Sequence, residues 1–92
     1  MNGTLPMAVA RDAQWNDHLV IIGYGINGRN VAMSARSESI PFVIVEMDPE
    51  IVMREEKKGE PIYFGDASQE AVLQHVGMKS ARVAAIAIPS GG

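Results

Sequence analysis

Between the apolar run Leu19-Val20-Ile21-Ile22 and a stretch with helical spacing lies Gly23-Tyr24-Gly25-Ile26-Asn27-Gly28. Glycines at the first, third and sixth places of such a turn suit a chain that enters as a buried strand, reverses tightly and leaves as a helix. Gly23 permits the turn, Gly25 lets backbone approach a phosphate, and Gly28 lets the helix pack close to a sheet. No lysine or Ser/Thr follows in Walker fashion, so this is not a triphosphatase loop. The flanks agree with the loop. Four apolar residues ending at glycine read as a strand buried on both faces. After it, Gly28, Val31, Ala32 and Ala35 fall on one helical face of small side chains, from Ile26 to about Arg36.

The rest of the chain repeats the alternation. Ile40-Pro41 turns it into Phe42-Val43-Ile44-Val45, a second buried strand. Asp48-Pro49-Glu50 then supplies an N-cap aspartate, a proline at the first helical position and an acid in the first turn. That helix is expected to reach about Lys58 and stop at Gly59. Pro61-Ile62-Tyr63-Phe64 reads as a third, shorter strand. Gly65-Asp66-Ala67-Ser68-Gln69 turns into a third helix, capped by Asp66 or Ser68, with Val72, Leu73 and Val76 inward and an end at Gly77. Residues 83–88 form a fourth strand, closed by Pro89.

Strands alternating with helices imply a parallel sheet covered on both faces, and right-handed crossovers leave few arrangements. The expected fold is α/β: a Rossmann-like parallel sheet in the spatial order 3-2-1-4, one half of a doubly wound fold. Residues 1–17 show no period and read as a leader or linker, with Trp15 packing on the domain's flank. Residues 18–92 read as the nucleotide-binding domain, truncated after strand four.

Composition narrows the function. The 92 residues are 47% hydrophobic with net charge −3, ordinary for a globular chain. No run of like charge exceeds Glu55-Glu56 or Lys57-Lys58, and these adjoining pairs read as a solvated helix face. An acidic, unpatterned chain is a poor partner for a phosphate polymer, which sets nucleic acid aside. With no cysteine, disulfides, thiolate metal sites and a cysteine nucleophile are excluded. His18 and His75 lack a metal-spaced partner and read as structural or solvent-facing, so no metal site is expected. No apolar run approaches the length of a bilayer crossing, and no signal peptide is read at the start.

The candidate site follows from the loop. Backbone N–H groups of Ile26, Asn27 and Gly28 open a helix N-terminus, where partial positive charge suits a phosphate. Glu46 stands at the tip of the second strand, about twenty residues on, where a carboxylate accepts from both ribose hydroxyls and repels a 2′-phosphate. The ligand is therefore NAD-like, AMP, ADP or ATP, and not NADP; the bland alternative for Glu46 is a solvated strand-end acid. Asp48, followed by proline, is read as a cap. Asp66 either meets adenine or ribose directly or caps the third helix, with Gln69 three positions later as in a capping box. No Ser/Tyr/Lys set, His-Asp pair or facing carboxylates lie within reach, so no catalytic residue is assigned. Two rivals stand beside a ligand-sensing domain: the N-terminal half of an NAD-dependent oxidoreductase, and an interaction module with a vestigial loop.

Four segments together carry a resemblance: residues 18–32 around the glycine loop, residues 40–50 through Glu46, residues 59–68 ending in Gly65-Asp66-Ala67-Ser68, and residues 81–88. They resemble the RCK, or TrkA-N, domain, found in potassium channels and Kef-type monovalent cation:proton antiporters. The form Gly-Tyr-Gly-x-Asn-Gly-Arg-Asn is more similar to the antiporter branch. The resemblance implies phosphate contact from Gly23 through Gly28, ribose recognition by Glu46 with the Met47 backbone nearby, and nucleotide contact at Asp66 and Ala67. Many members place arginine within the loop where this chain has Ile26. It further implies a non-enzymatic regulatory domain on the cytoplasmic side of a membrane transport domain, working as a homodimer; strand four would present an unpaired edge for pairing with another copy.

Overall fold

The computed structural model describes residues 16–87. The expected leader before Asn16, including Trp15, and the stop at Pro89 lie outside the described residues. Within them a four-stranded parallel sheet runs in the order β3-β2-β1-β4, as the alternation predicts. Its strands are β1 (Leu19–Ile22), β2 (Phe42–Glu46), β3 (Ile62–Phe64) and β4 (Val83–Ile86). The helices between them are α1 (Ile26–Ser37), α2 (Pro49–Lys57) and α3 (Glu70–His75), with a 3₁₀ turn at Met78–Ser80.

β1 lies inside the sheet because strand addition changes side there, β2 and β3 being laid on one flank and β4 on the other. Its register sets Ile22 beside Val45 on one side and Ile86 on the other, so three strand ends finish level at the carboxyl edge. The two crossovers toward β3 place α1 and α2 on one face. There Leu19, Ile21 and Ile44 meet Ala32 and Ala35, with Ile51 alongside. The crossover from β3 to β4 passes back over β1, and its α3 covers the opposite face, where Val20, Val43 and Val45 pack on Val76. Val20, Ile21, Ile44 and Val45 are sealed from water, each contributing about 1.5–3 kcal/mol of transfer free energy. Residues 19–22 and 42–45 can be apolar without alternation because helices cover both of their sides.

Of the two histidines, His18 is buried and His75 exposed. His18 is fully buried, its Nε2 2.7 Å from the Val76 carbonyl oxygen. This contact ties the start of β1 to the end of α3. His75 stacks on Tyr63 with ring centroids 4.1 Å apart. Asp17 is held too: its N–H donates to the Ser80 carbonyl and its carboxylate meets Arg82 at 2.9 Å.

Three expectations are corrected. α3 begins at Glu70 with Gln69 as its N-cap residue, and no side chain caps it. Asp66 instead accepts from the Ser68 N–H at 2.9 Å and hydroxyl at 2.8 Å, closing a local turn before the helix starts. The capping box from Asp66 to Gln69 therefore does not form. Second, Glu55 is not on a solvated face but buried, with a side chain 3% exposed that meets Arg54 at 2.9 Å and Lys58 at 3.5 Å. Its position three residues after buried Val52 turns it inward. Third, Gly28 is required less by the sheet than by the loop. A Cβ there would overlap the Gly23 carbonyl oxygen, with Ala87 Cβ further off at 3.5 Å.

Candidate functional site

At the carboxyl edge, where the order reverses between β1 and β4, ligands bind in doubly wound sheets. A cleft of about 620 Å³ lies there. The glycine loop supplies Gly23, Tyr24, Gly25, Ile26 and Asn27; β2 supplies Val45, Glu46 and Met47; the turn after β3 supplies Gly65, Asp66 and Ala67. The sequence-derived site residues come together here except Gly28, which sits beneath the loop against Gly23.

The loop works through its backbone. Gly23 adopts φ +96°, a left-handed conformation that glycine takes at little cost. Gly25 is the N-cap residue of α1, and neither its own side chain nor any first-turn acid satisfies the helix start. α2 is different: Asp48 Oδ1 accepts from the Glu50 N–H at 2.9 Å, and Glu50 lies in its first turn. That confirms Asp48 as a cap. Each helix leaves its first N–H groups without intrahelical partners, and at α1 they open toward the cleft. A Cβ on Gly25 would meet nothing within 4 Å, and its φ of −91° suits any residue. The fold therefore does not require glycine at 25; close approach of a ligand would.

Glu46 is half-buried and held by two backbone donors. Its Oε1 accepts from the Tyr24 N–H at 2.7 Å and its Oε2 from the Asp48 N–H at 2.9 Å. The carboxylate thus joins the glycine loop to the α2 start, and each oxygen retains a lone pair for a further donor. Across the cleft, the Ser68 N–H and hydroxyl hold the Asp66 carboxyl below its usual range, so it stays ionised at neutral pH. Gly65 precedes it because a Cβ would press on Val72 at 2.9 Å and on the Tyr63 ring at 3.3 Å.

Ile22, Tyr24, Val45, Ile51, Gly65 and Ala87 also line the cleft and were not among the site residues read from the sequence. Ile51 of α2 joins the lining, though its spacing from Glu55 marks an inward face. Tyr24 contributes a backbone donor, which leaves no signature in the sequence; its side chain is buried, and burial, with Glu60 and Glu55 nearby, pushes its hydroxyl pKa up. No group of three His, Cys, Asp or Glu residues suited to a metal occurs among the described residues. Nor is any helix among them long and apolar enough to cross a membrane.

A parallel sheet in the order 3-2-1-4, with a glycine turn at β1 and a carboxylate at the tip of β2, defines the class of Rossmann-like half-domains. Within that class the TrkA-N domain family matches residues 19–91, and the chain belongs to it. It is 35% identical over 75 residues to the chloroplastic K(+) efflux antiporter 2 of Arabidopsis thaliana, covering 82% of this chain and 6% of that protein. It is also 35% identical over 78 residues to a chain named as a potassium channel protein in Methanocaldococcus jannaschii, covering 80% of this chain and 22% of the other. The chain thus spans a small part of the relatives' length. Among solved structures, the TrkA-N domain of inner membrane protein ybaL from Escherichia coli shares its fold, with TM-score 0.76, 24% identity, and coverage of 85% of this chain and 58% of that one.

Proposed function

We propose that this chain binds an adenine nucleotide (NAD, AMP, ADP or ATP) and acts as the regulatory domain of a membrane cation transport protein of the antiporter kind. The domain lies on the cytoplasmic face, works as a homodimer and catalyses nothing. The observation that carries the nucleotide reading is the pairing of an uncapped α1 start with the fixed Glu46 carboxylate across one cleft. Phosphate oxygens accept from the first-turn N–H groups, and the ribose hydroxyls donate to Glu46. A cleft of about 620 Å³ is of small-ligand size. The transport setting is supported by the names of the relatives, K(+) efflux antiporters among them. In that setting the nucleotide acts by binding one arrangement of the assembly better than another.

Titration calorimetry tests the first step. The chain is expected to release or absorb heat with AMP or NAD, and Gly25→Ala to weaken that binding by roughly tenfold or more, the worth of one charge-assisted hydrogen bond. The thermal midpoint of Gly25→Ala should match the parent, since its methyl group enters open space. Unaltered binding by this variant would remove the phosphate from the α1 start.

A further inference from the structure

Among the described residues, the charged side chains lining the cleft are Glu46 and Asp66, and no lysine or arginine lines it. Both carboxylates are built in: Glu46 accepts two backbone N–H groups, and Asp66 accepts the N–H and hydroxyl of Ser68. At the phosphate end, the first residue of α1 is Ile26, 76% exposed. Arg29 lies one turn further along α1 and is not in the lining. Among the described residues, the positive potential at the site comes from the helix start, worth about half an elementary charge. Two fixed carboxylates outweigh it.

Resting on the nucleotide reading above, the geometry points to a cleft that sorts adenine nucleotides by charge, favouring those with the fewest phosphate charges that still reach the α1 start. Ile26 is the specificity-determining residue. AMP carries about two negative charges and each further phosphate adds about one. The pyrophosphate of NAD carries a similar charge to AMP, partly offset by its cationic nicotinamide ring. Adenosine avoids the repulsion but forfeits the N–H groups of the first turn. In ADP and ATP, each added charge approaches the two carboxylates with no side-chain cation among the described lining residues to meet it. The order expected is AMP and NAD above ADP, and ADP above ATP. Each step costs about three- to tenfold in affinity, the Coulomb repulsion expected at partly solvated separations.

The test is calorimetric titration of the chain with adenosine, AMP, NAD, ADP and ATP at low ionic strength. Each is measured once with a chelator and once with magnesium. The inference expects the order above with chelator, and a narrower spread when salt is raised. Ile26→Arg, a change at an exposed position, should raise ATP affinity by about tenfold while moving AMP less. ATP binding as tightly as AMP in the chelated parent would overturn charge sorting while leaving the nucleotide reading intact. An unchanged spread in Ile26→Arg would remove Ile26 from the role. Silence with all five compounds would instead bring down the nucleotide reading and this inference with it.

Discussion

At Gly28 a methyl group would sit on the carbonyl oxygen of Gly23, backbone against backbone, whereas at Gly25 it would enter open space. The two positions thus separate folding from the proposed binding. Gly28→Ala is expected to destabilise the domain by about 1–3 kcal/mol through overpacking, despite the better helix propensity of alanine. For a domain of this size that lowers the thermal midpoint by several degrees, about 4–8 °C per kcal/mol. Thermal unfolding followed by circular dichroism would show it, and a Gly28→Ala midpoint equal to the parent's would refute the packing argument. The three glycines were legible as a motif, and so was Glu46 as its partner. Their separate tasks were read as well, but not that Gly28 meets the Gly23 carbonyl ahead of the sheet, because what a Cβ would strike depends on where the loop folds back. The Tyr24 N–H that fixes Glu46 was invisible for a simpler reason: every residue but proline carries one.

α2 shows how far one element can be read. Asp48-Pro49-Glu50 announced its start, and the observed cap agrees. Its middle misled, because the adjoining charge pairs look solvated while the helical period turns Glu55 inward beside Val52. At the start of α3 two acceptable caps competed, and Asp66 took the nearer donors of Ser68, leaving Gln69 to begin the helix. The buried Glu55 has a measurable consequence. The Arg54 side chain, with Lys58 adding to it, holds the Glu55 carboxyl below its ordinary 4.5 although burial opposes this. A depressed folded-state pKa stabilises the protein above the unfolded value, and the gain is lost as pH falls through the folded value. Replacing Glu55 by Gln should therefore lower the urea midpoint at neutral pH. The gap to the parent should close as pH drops from the ordinary glutamate range, about 4.3–4.5, toward the depressed folded value. Curves that stay parallel across that range would show that the ion pairs contribute nothing.

For the whole molecule, alternation and crossover handedness were enough to predict the order 3-2-1-4, but not how differently the two outer strands would be finished. β3 has three residues and follows Pro61, which offers no N–H. β4 carries no charge or proline, and Val83 and Ile86 are 52% and 68% exposed. Its outer edge has no strand partner among the described residues. An uncharged edge flanked by exposed apolar side chains is a template for another strand. Two copies related by a two-fold axis would pair β4 with β4 and continue one sheet through both. Light scattering should show the mean mass rising toward a dimer with concentration. Ala84→Lys, which puts a charge on that edge, should hold the chain monomeric. Parent protein that stays monomeric at high micromolar concentration would reject the pairing. Ala87, one residue beyond β4, lines the cleft and donates its N–H to the Ile22 carbonyl, so the edge and the proposed nucleotide site share a segment. If pairing shifts that segment, saturating AMP must change the dimerisation constant by the same factor that dimerisation changes AMP affinity. Equal dimerisation constants with and without AMP would mean the two sites are uncoupled in this chain.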